Sequence, residues 1–185
     1  MLTSQQARAI LANAEMLHDA DSVQAALHRV AAKINATLAD RHPLVLSVMG
    51  GAVVFSGQLL PLLDFPLDFD YLHVSRYGND TRGGELQWKV APRENVQGRV
   101  VLVLDDILDE GETLFAIRQR VLELGATAFY SAVFADKDNG KAKPIRVDFA
   151  GLVLPNRFVF GYGMDIQGAW RNLPAIYAVK ETLKT

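Results

Sequence analysis

Five carboxylates fall within eight positions, at Asp105, Asp106, Asp109, Glu110 and Glu112, directly after the apolar run Val100 to Leu104. Like charges at that density repel, by roughly 4 kcal/mol for a close pair under partial burial. Four roles would explain the cluster: a metal cage, a hydroxyl-binding site, a proton-transfer site, or a solvated turn. Asp109-Glu110-Gly111-Glu112-Thr113 joins a strand end to a helix start, where backbone N–H groups are unsatisfied and Gly111 permits a tight bend. With the Thr113 hydroxyl, such a turn is a phosphate cradle made of backbone dipoles, if its acidic side chains point away from the anion. The two preceding aspartates, as acceptors, suit vicinal hydroxyls of a sugar. The plain alternative is N-capping, which Asp, Gly and Thr supply without any ligand.

The elements that must hold these groups alternate between strand and helix. Thr3-Ser4-Gln5-Gln6 and Asp21-Ser22-Val23-Gln24 each have capping-box spacing. Val23, Leu27, Val30, Ile34 and Leu38 then form one amphipathic stripe, so residues 1–43 are predicted to hold two helices. Strands are predicted at Leu44–Met49, Phe69–Val74, Glu85–Val90, Arg99–Leu104, Ala128–Ala135 and Phe149–Leu154. One helix is predicted over Ala52–Leu63, and another carries Leu114, Ile117, Val121 and Leu124 and stops at Gly125. Short extended pieces follow at Phe158–Tyr162 and Ala175–Val179. This is the pattern of an α/β fold, a mostly parallel central sheet flanked by helices. Ligands of such sheets bind beyond the carboxyl ends of the strands, which is where the acidic stretch falls.

The 185 residues predict one domain, with residues 1–43 as N-terminal helices and 44–185 as core. A net charge of −2 gives no general attraction to nucleic acid or anionic membrane, so neither is an expected partner. The absence of cysteine excludes disulfides and thiolate metal sites and fits a reducing compartment. Met1 to Asp21 lacks the basic segment and apolar run of a signal peptide, and no apolar stretch approaches the ~20 residues of a membrane span. The expected location is cytoplasmic.

Read as a whole pattern, Val101 to Leu114 resembles the phosphoribosyl pyrophosphate signature of type I phosphoribosyltransferases: four hydrophobic residues, two acids, two hydrophobic residues, Asp, any residue, Gly, any residue, Thr. The resemblance implies that family's fold, with a small hood and a mobile lid loop. It implies that Asp105 and Asp106 bind ribose hydroxyls beside magnesium, that Asp109 to Thr113 wraps the 5′-phosphate, and that Asp109 transfers a proton at the imidazole edge of a purine.

From about Leu44 to Val179 the chain is similar to the hypoxanthine-guanine branch of the family. Val48-Met49-Gly50-Gly51 matches the pyrophosphate loop, with Met49 where lysine is common. Ser75-Arg76-Tyr77-Gly78, continuing to Gly84, matches the lid, with Arg76 where serine is usual. Lys137 matches the lysine that donates to the exocyclic oxygen of a 6-oxopurine. Phe158-Val159-Phe160-Gly161-Tyr162-Gly163-Met164-Asp165 matches the base and metal segment. By that match Phe158 stacks on the base, the Val159 backbone meets its edge, and Asp165 lies near the base and holds a second magnesium. Ile107 joins the purine pocket, Phe160 is read as core, and Arg171 stands where an arginine contacts pyrophosphate. Glu110 and Glu112 depart from the threonine and lysine frequent in the phosphate loop.

The implied reaction moves ribose 5-phosphate from phosphoribosyl pyrophosphate to hypoxanthine or guanine, with Mg2+ as cofactor and a homodimer or homotetramer as the expected assembly. Two alternatives stand beside it. One is a regulatory protein that senses the sugar diphosphate and binds nucleic acid, which a dense basic patch would favour and the scattered cations here do not. The other is a xanthine-preferring transferase.

Overall fold

The computed structural model of the chain describes residues 1–76, 86–91 and 96–180. Six strands form the central sheet: β2 (Leu44–Met49), β3 (Asp68–Arg76), β4 (Leu86–Val90), β5 (Val100–Leu108), β6 (Ala128–Asp138) and β7 (Phe149–Pro155). Their order is β4-β3-β2-β5-β6-β7; only β4 runs antiparallel to its neighbour. The expected α/β architecture is therefore present.

Two-residue periodicity on the central strands sends alternate side chains to two cores. Val101 and Val103 face one side with Leu44, Leu46, Leu72 and Val133, where Leu114, Ile117 and Val121 of helix α4 (Glu112–Glu123) cover them. Leu102 and Leu104 face the other side with Val45 and Phe134. That side is covered by the predicted stripe of helix α2 (Ala20–Leu38) and by Phe55 and Leu59 of helix α3 (Val53–Leu59). Fully burying one Leu or Val of these layers is worth about 1.5–3 kcal/mol, so the two cores hold the strand ends in place.

Several boundaries differ from expectation. The Thr3 capping box closes as predicted, with Gln6 N–H donating to Thr3 Oγ1 at 3.2 Å and Thr3 N–H to Gln6 Oε1 at 2.8 Å. This starts helix α1 (Ser4–Ala12). Asp21 does not cap α2. Asp19 does, accepting the Ser22 amide at 2.9 Å, so the helix begins earlier. The predicted Ala52–Leu63 helix is α3 followed by a 3₁₀ turn at Leu60–Leu62, where Pro61 lacks the N–H that a continued α-helix would use. Strand β5 runs past Leu104 to Leu108, because β6 pairs with it as far as Leu108–Asp136. The acid pair is therefore on a strand, not in a turn.

One element between the N-terminal helices went unpredicted: strand β1 (Ala14–His18). It pairs antiparallel with β9 (Ile176–Val179), which pairs with β8 (Val159–Phe160), giving a second, three-stranded sheet from the two ends of the chain. Residues 1–43 are thus more than helices. Among the described residues no helix is long and apolar enough to cross a membrane.

Candidate active site

The carboxyl ends of β2, β3 and β5 open into a cleft of about 900 Å³. Of the residues singled out from the sequence, Met49, Gly50, Gly51, Asp105, Asp106, Ile107, Asp109, Glu110, Gly111, Thr113, Asp165 and Arg171 line it. Arg76 ends β3, and Tyr77 with the rest of loop 77–85 lies outside the described residues. Lys137, Glu112, Phe158 and Val159 are not among the lining residues: Glu112 is an exposed first residue of α4, Phe158 is 57% exposed, and Val159 is buried.

Asp105 and Asp106 are partly buried on β5, and each carboxylate accepts the next backbone amide, at 3.0 Å from Asp106 and 2.8 Å from Ile107. Burial, reinforced by the adjacent Asp106 charge, pushes the Asp105 carboxyl well above the usual carboxylate range. Burial also raises Asp106, against hydrogen bonds and the Arg171 guanidinium, which oppose it. The two therefore resist full ionisation together unless positive charge arrives.

The turn after β2 is packed hard against this pair. A Cβ at Gly51 would overlap the Asp106 carboxylate, and one at Gly163 would overlap the Gly51 carbonyl. Glycine is needed here for contact within the protein itself, in addition to any ligand. Gly163 also brings Arg171 into place: its carbonyl accepts from Arg171 Nη1 at 2.6 Å. Arg171 Nη2 pairs with Asp165 at 2.5 Å, and Nη1 lies 3.9 Å from Asp106. Asp165 in turn accepts the Gly168 amide at 2.7 Å.

Gly111 supplies the left-handed bend, φ 83°, that starts α4, and no side chain caps the helix. Beside it Glu110 lies 3.7 Å from Lys141, so the acid that departs from the family pattern has a local counter-charge. Asp109 is engaged as well. Lys137 Nζ lies 2.6 Å from its Oδ2, and Asn139 Nδ2 donates to its carbonyl at 3.0 Å.

Among the described residues no three His, Asp or Glu side chains gather as a metal cage. Two adjacent, partly buried carboxylates do fit magnesium, which is typically held by one or two carboxylates with substrate phosphates and waters completing its oxygen set. Phe160 is core, fully buried with its ring stacked 5.7 Å from Tyr177.

Sequence reasoning missed His73, Asn139, Lys141 and Asn156, which also line the cleft. By its residue types alone, Asn139-Gly140-Lys141 marks a loop and nothing more. Its place after a central parallel strand was the signal that could have promoted it.

The phosphoribosyl transferase domain model matches residues 13–167. The chain belongs to the phosphoribosyltransferase family. Within that family it is similar to the hypoxanthine-guanine-xanthine phosphoribosyltransferase of Tritrichomonas foetus, 34% identical over 171 residues that cover 92% of this chain and 93% of that protein. It is also similar to the hypoxanthine-guanine phosphoribosyltransferase of Bacillus subtilis (strain 168), 32% identical over 90% of this chain and 93% of that one. A solved hypoxanthine-guanine-xanthine phosphoribosyltransferase matches with a TM-score of 0.82 at 33% identity, covering 90% of this chain and 97% of that structure.

Proposed function

We propose that the chain is a purine-salvage enzyme that transfers ribose 5-phosphate from phosphoribosyl pyrophosphate to hypoxanthine or guanine, giving IMP or GMP and pyrophosphate. One observation carries the reading: a single cleft is lined by the partly buried acid pair, the uncapped Gly111 turn and Asp109, which is held by Lys137. A sugar, a phosphate and a purine edge each find matching chemistry there. The named relatives supply the purine class.

In this reading Asp105 and Asp106 accept the ribose hydroxyls, and their charge is stabilising when the ring becomes cationic as the bond to pyrophosphate lengthens. Such contacts strengthen toward the transition state and so accelerate chemistry. The 5′-phosphate is held by backbone N–H groups at the start of α4 and by Thr113. Gly50 and Gly51 let the backbone approach the leaving group, and Arg171 pairs with it. Magnesium, when bound through Asp105 and Asp106, with Asp165 toward a second ion, supplies Lewis-acid charge for the leaving pyrophosphate. Lys137 donates to the 6-oxo oxygen, Ile107 and Val159 flank the base, and Phe158 stacks on it. Asp109 takes the imidazole proton as the new N–C bond forms.

The same reading carries Arg76 and Tyr77 as part of a closing lid, a single 185-residue domain, a homodimeric or homotetrameric assembly, and a cytoplasmic setting consistent with the lack of cysteine. Xanthine is a second candidate substrate, favoured by the Tritrichomonas relative's name. The test is pyrophosphate release from phosphoribosyl pyrophosphate and Mg2+ with hypoxanthine, guanine and xanthine in turn. Release with at least one of the first two is expected. Release with none of the three would overturn the transferase reading, and release with xanthine alone would favour the second substrate.

A further inference from the structure

Lys143 belongs to no motif of the family resemblance, yet its ammonium is fully engaged close to the cleft. Only 13% of its side chain is exposed. Its Nζ donates to the Leu108 carbonyl at 2.8 Å, to the Lys137 carbonyl at 2.7 Å and to the Asp136 carboxylate at 2.6 Å. An ammonium has three N–H donors, so all three are used.

Two of those acceptors are the backbone from which the purine-facing pair springs. Leu108 ends β5 and directly precedes Asp109, and Lys137 is the residue whose own Nζ meets Asp109 at 2.6 Å. The ladder between β5 and β6 has its last registered pair at Leu108–Asp136. Past that point the two chain segments need another tie. Lys143 supplies it, and Asn139 adds a second by donating to the Asp109 carbonyl. An apolar residue would give cohesion at this depth at lower desolvation cost, because a buried ion is stable only with good partners. The charged residue instead specifies a geometry.

We propose that Lys143 is a positioning residue for purine recognition: by clamping the ends of β5 and β6 it sets the gap between Lys137 and Asp109 into which the base edge must fit. The inference rests on the transferase reading and sharpens it, since the acceptors of Lys143 (Leu108, Asp136 and Lys137) adjoin the purine half of the site and none is a residue assigned to the sugar-diphosphate half.

The test separates those halves. For Lys143→Met, kcat/KM for hypoxanthine or guanine is expected to fall by about 10–100-fold, the scale of a displacement near 1 Å, with the donor KM nearly unchanged. Calorimetry is expected to show the same split, with GMP bound more weakly and ribose 5-phosphate bound as before. Because the chain has no native cysteine, Lys143→Cys offers a rescue. Alkylation with 2-bromoethylamine rebuilds a lysine-like ammonium and is expected to restore purine kcat/KM, whereas iodoacetamide is not. Those two adducts carry the comparison if Lys143→Met does not fold. Unchanged purine kinetics, donor and purine constants falling together, or equal behaviour of the two adducts would overturn the inference. A wild-type protein that binds GMP and loses that affinity on Lys143→Met, but turns over no purine, would sink the transferase reading alone. One that binds neither GMP nor ribose 5-phosphate would sink both.

Discussion

Lys137 and Asp109 lie 2.6 Å apart, so on the proposed reading a purine that uses both must part this ion pair. The two roles are separable by kinetics. Asp109→Asn keeps the size and removes the base, so kcat is expected to drop by about 10²–10⁴-fold in steady-state assays. Turnover unchanged in that variant would remove Asp109 from proton transfer. Lys137→Ala is expected to raise the purine KM while leaving the donor KM near wild type, because the side chain of Lys137 meets Asp109 alone in that turn, whereas the phosphate is assigned to backbone N–H groups and Thr113. Parallel increases in both constants would argue against that assignment. At this scale the acid cluster was readable from its spacing, and its local partners were not. Lys141 beside Glu110, and Asn139 on the Asp109 carbonyl, lie about thirty positions downstream and meet the loop only because β5 and β6 are neighbours.

The turn from β5 into α4 does its work through backbone conformation. Gly111 holds φ 83°, and a Cβ there would sit 3.3 Å from Ile145 Cγ2 and 3.4 Å from Pro144 Cδ. Gly111→Ala is therefore expected to destabilise the fold by about 1–2 kcal/mol, the usual cost of a left-handed L-residue. It should also weaken ribose 5-phosphate binding by disturbing the amides of the first helical turn. Urea unfolding and calorimetry would check the two effects. An alanine variant with wild-type stability and wild-type affinity would mean that neither the bend nor the cradle depends on this glycine. Element identities were largely legible because apolar spacing differs between strand and helix. Lengths were less so: the extension of β5 through its acid pair depends on the pairing strand β6, and α2 starts at Ala20 with Asp19, not Asp21, as its cap.

Over the whole molecule, the raised pKa values of Asp105 and Asp106 make stability depend on pH. The folded state holds these protons more tightly than the unfolded chain, whose aspartates titrate near pH 4. Their contribution is thus fully present below about pH 4 and is lost as pH rises through the higher folded values. Scanning calorimetry of the ligand-free protein should show this as a negative slope of Tm with pH in that window, flattened in Asp105→Asn. A variant with the wild-type slope would mean that burial of the pair does not govern it. Donor and magnesium binding should stabilise the protein more at high pH, where the ionised pair meets the cation.

The sequence alone determined the class of fold and the identity of the acid, glycine and threonine cluster, since both are written in local spacing that survives without coordinates. The tertiary structure decided what those residues touch. Gly51 is needed against Asp106, Arg171 is shared between Gly163 and Asp165, and the two chain ends join in one small sheet through β1, β9 and β8. The first and last of these join segments far apart in the chain and follow from how the sheets order their strands, which no local pattern encodes; Arg171 meets Gly163 and Asp165 within the one loop between β8 and β9, whose fold sets the pairing.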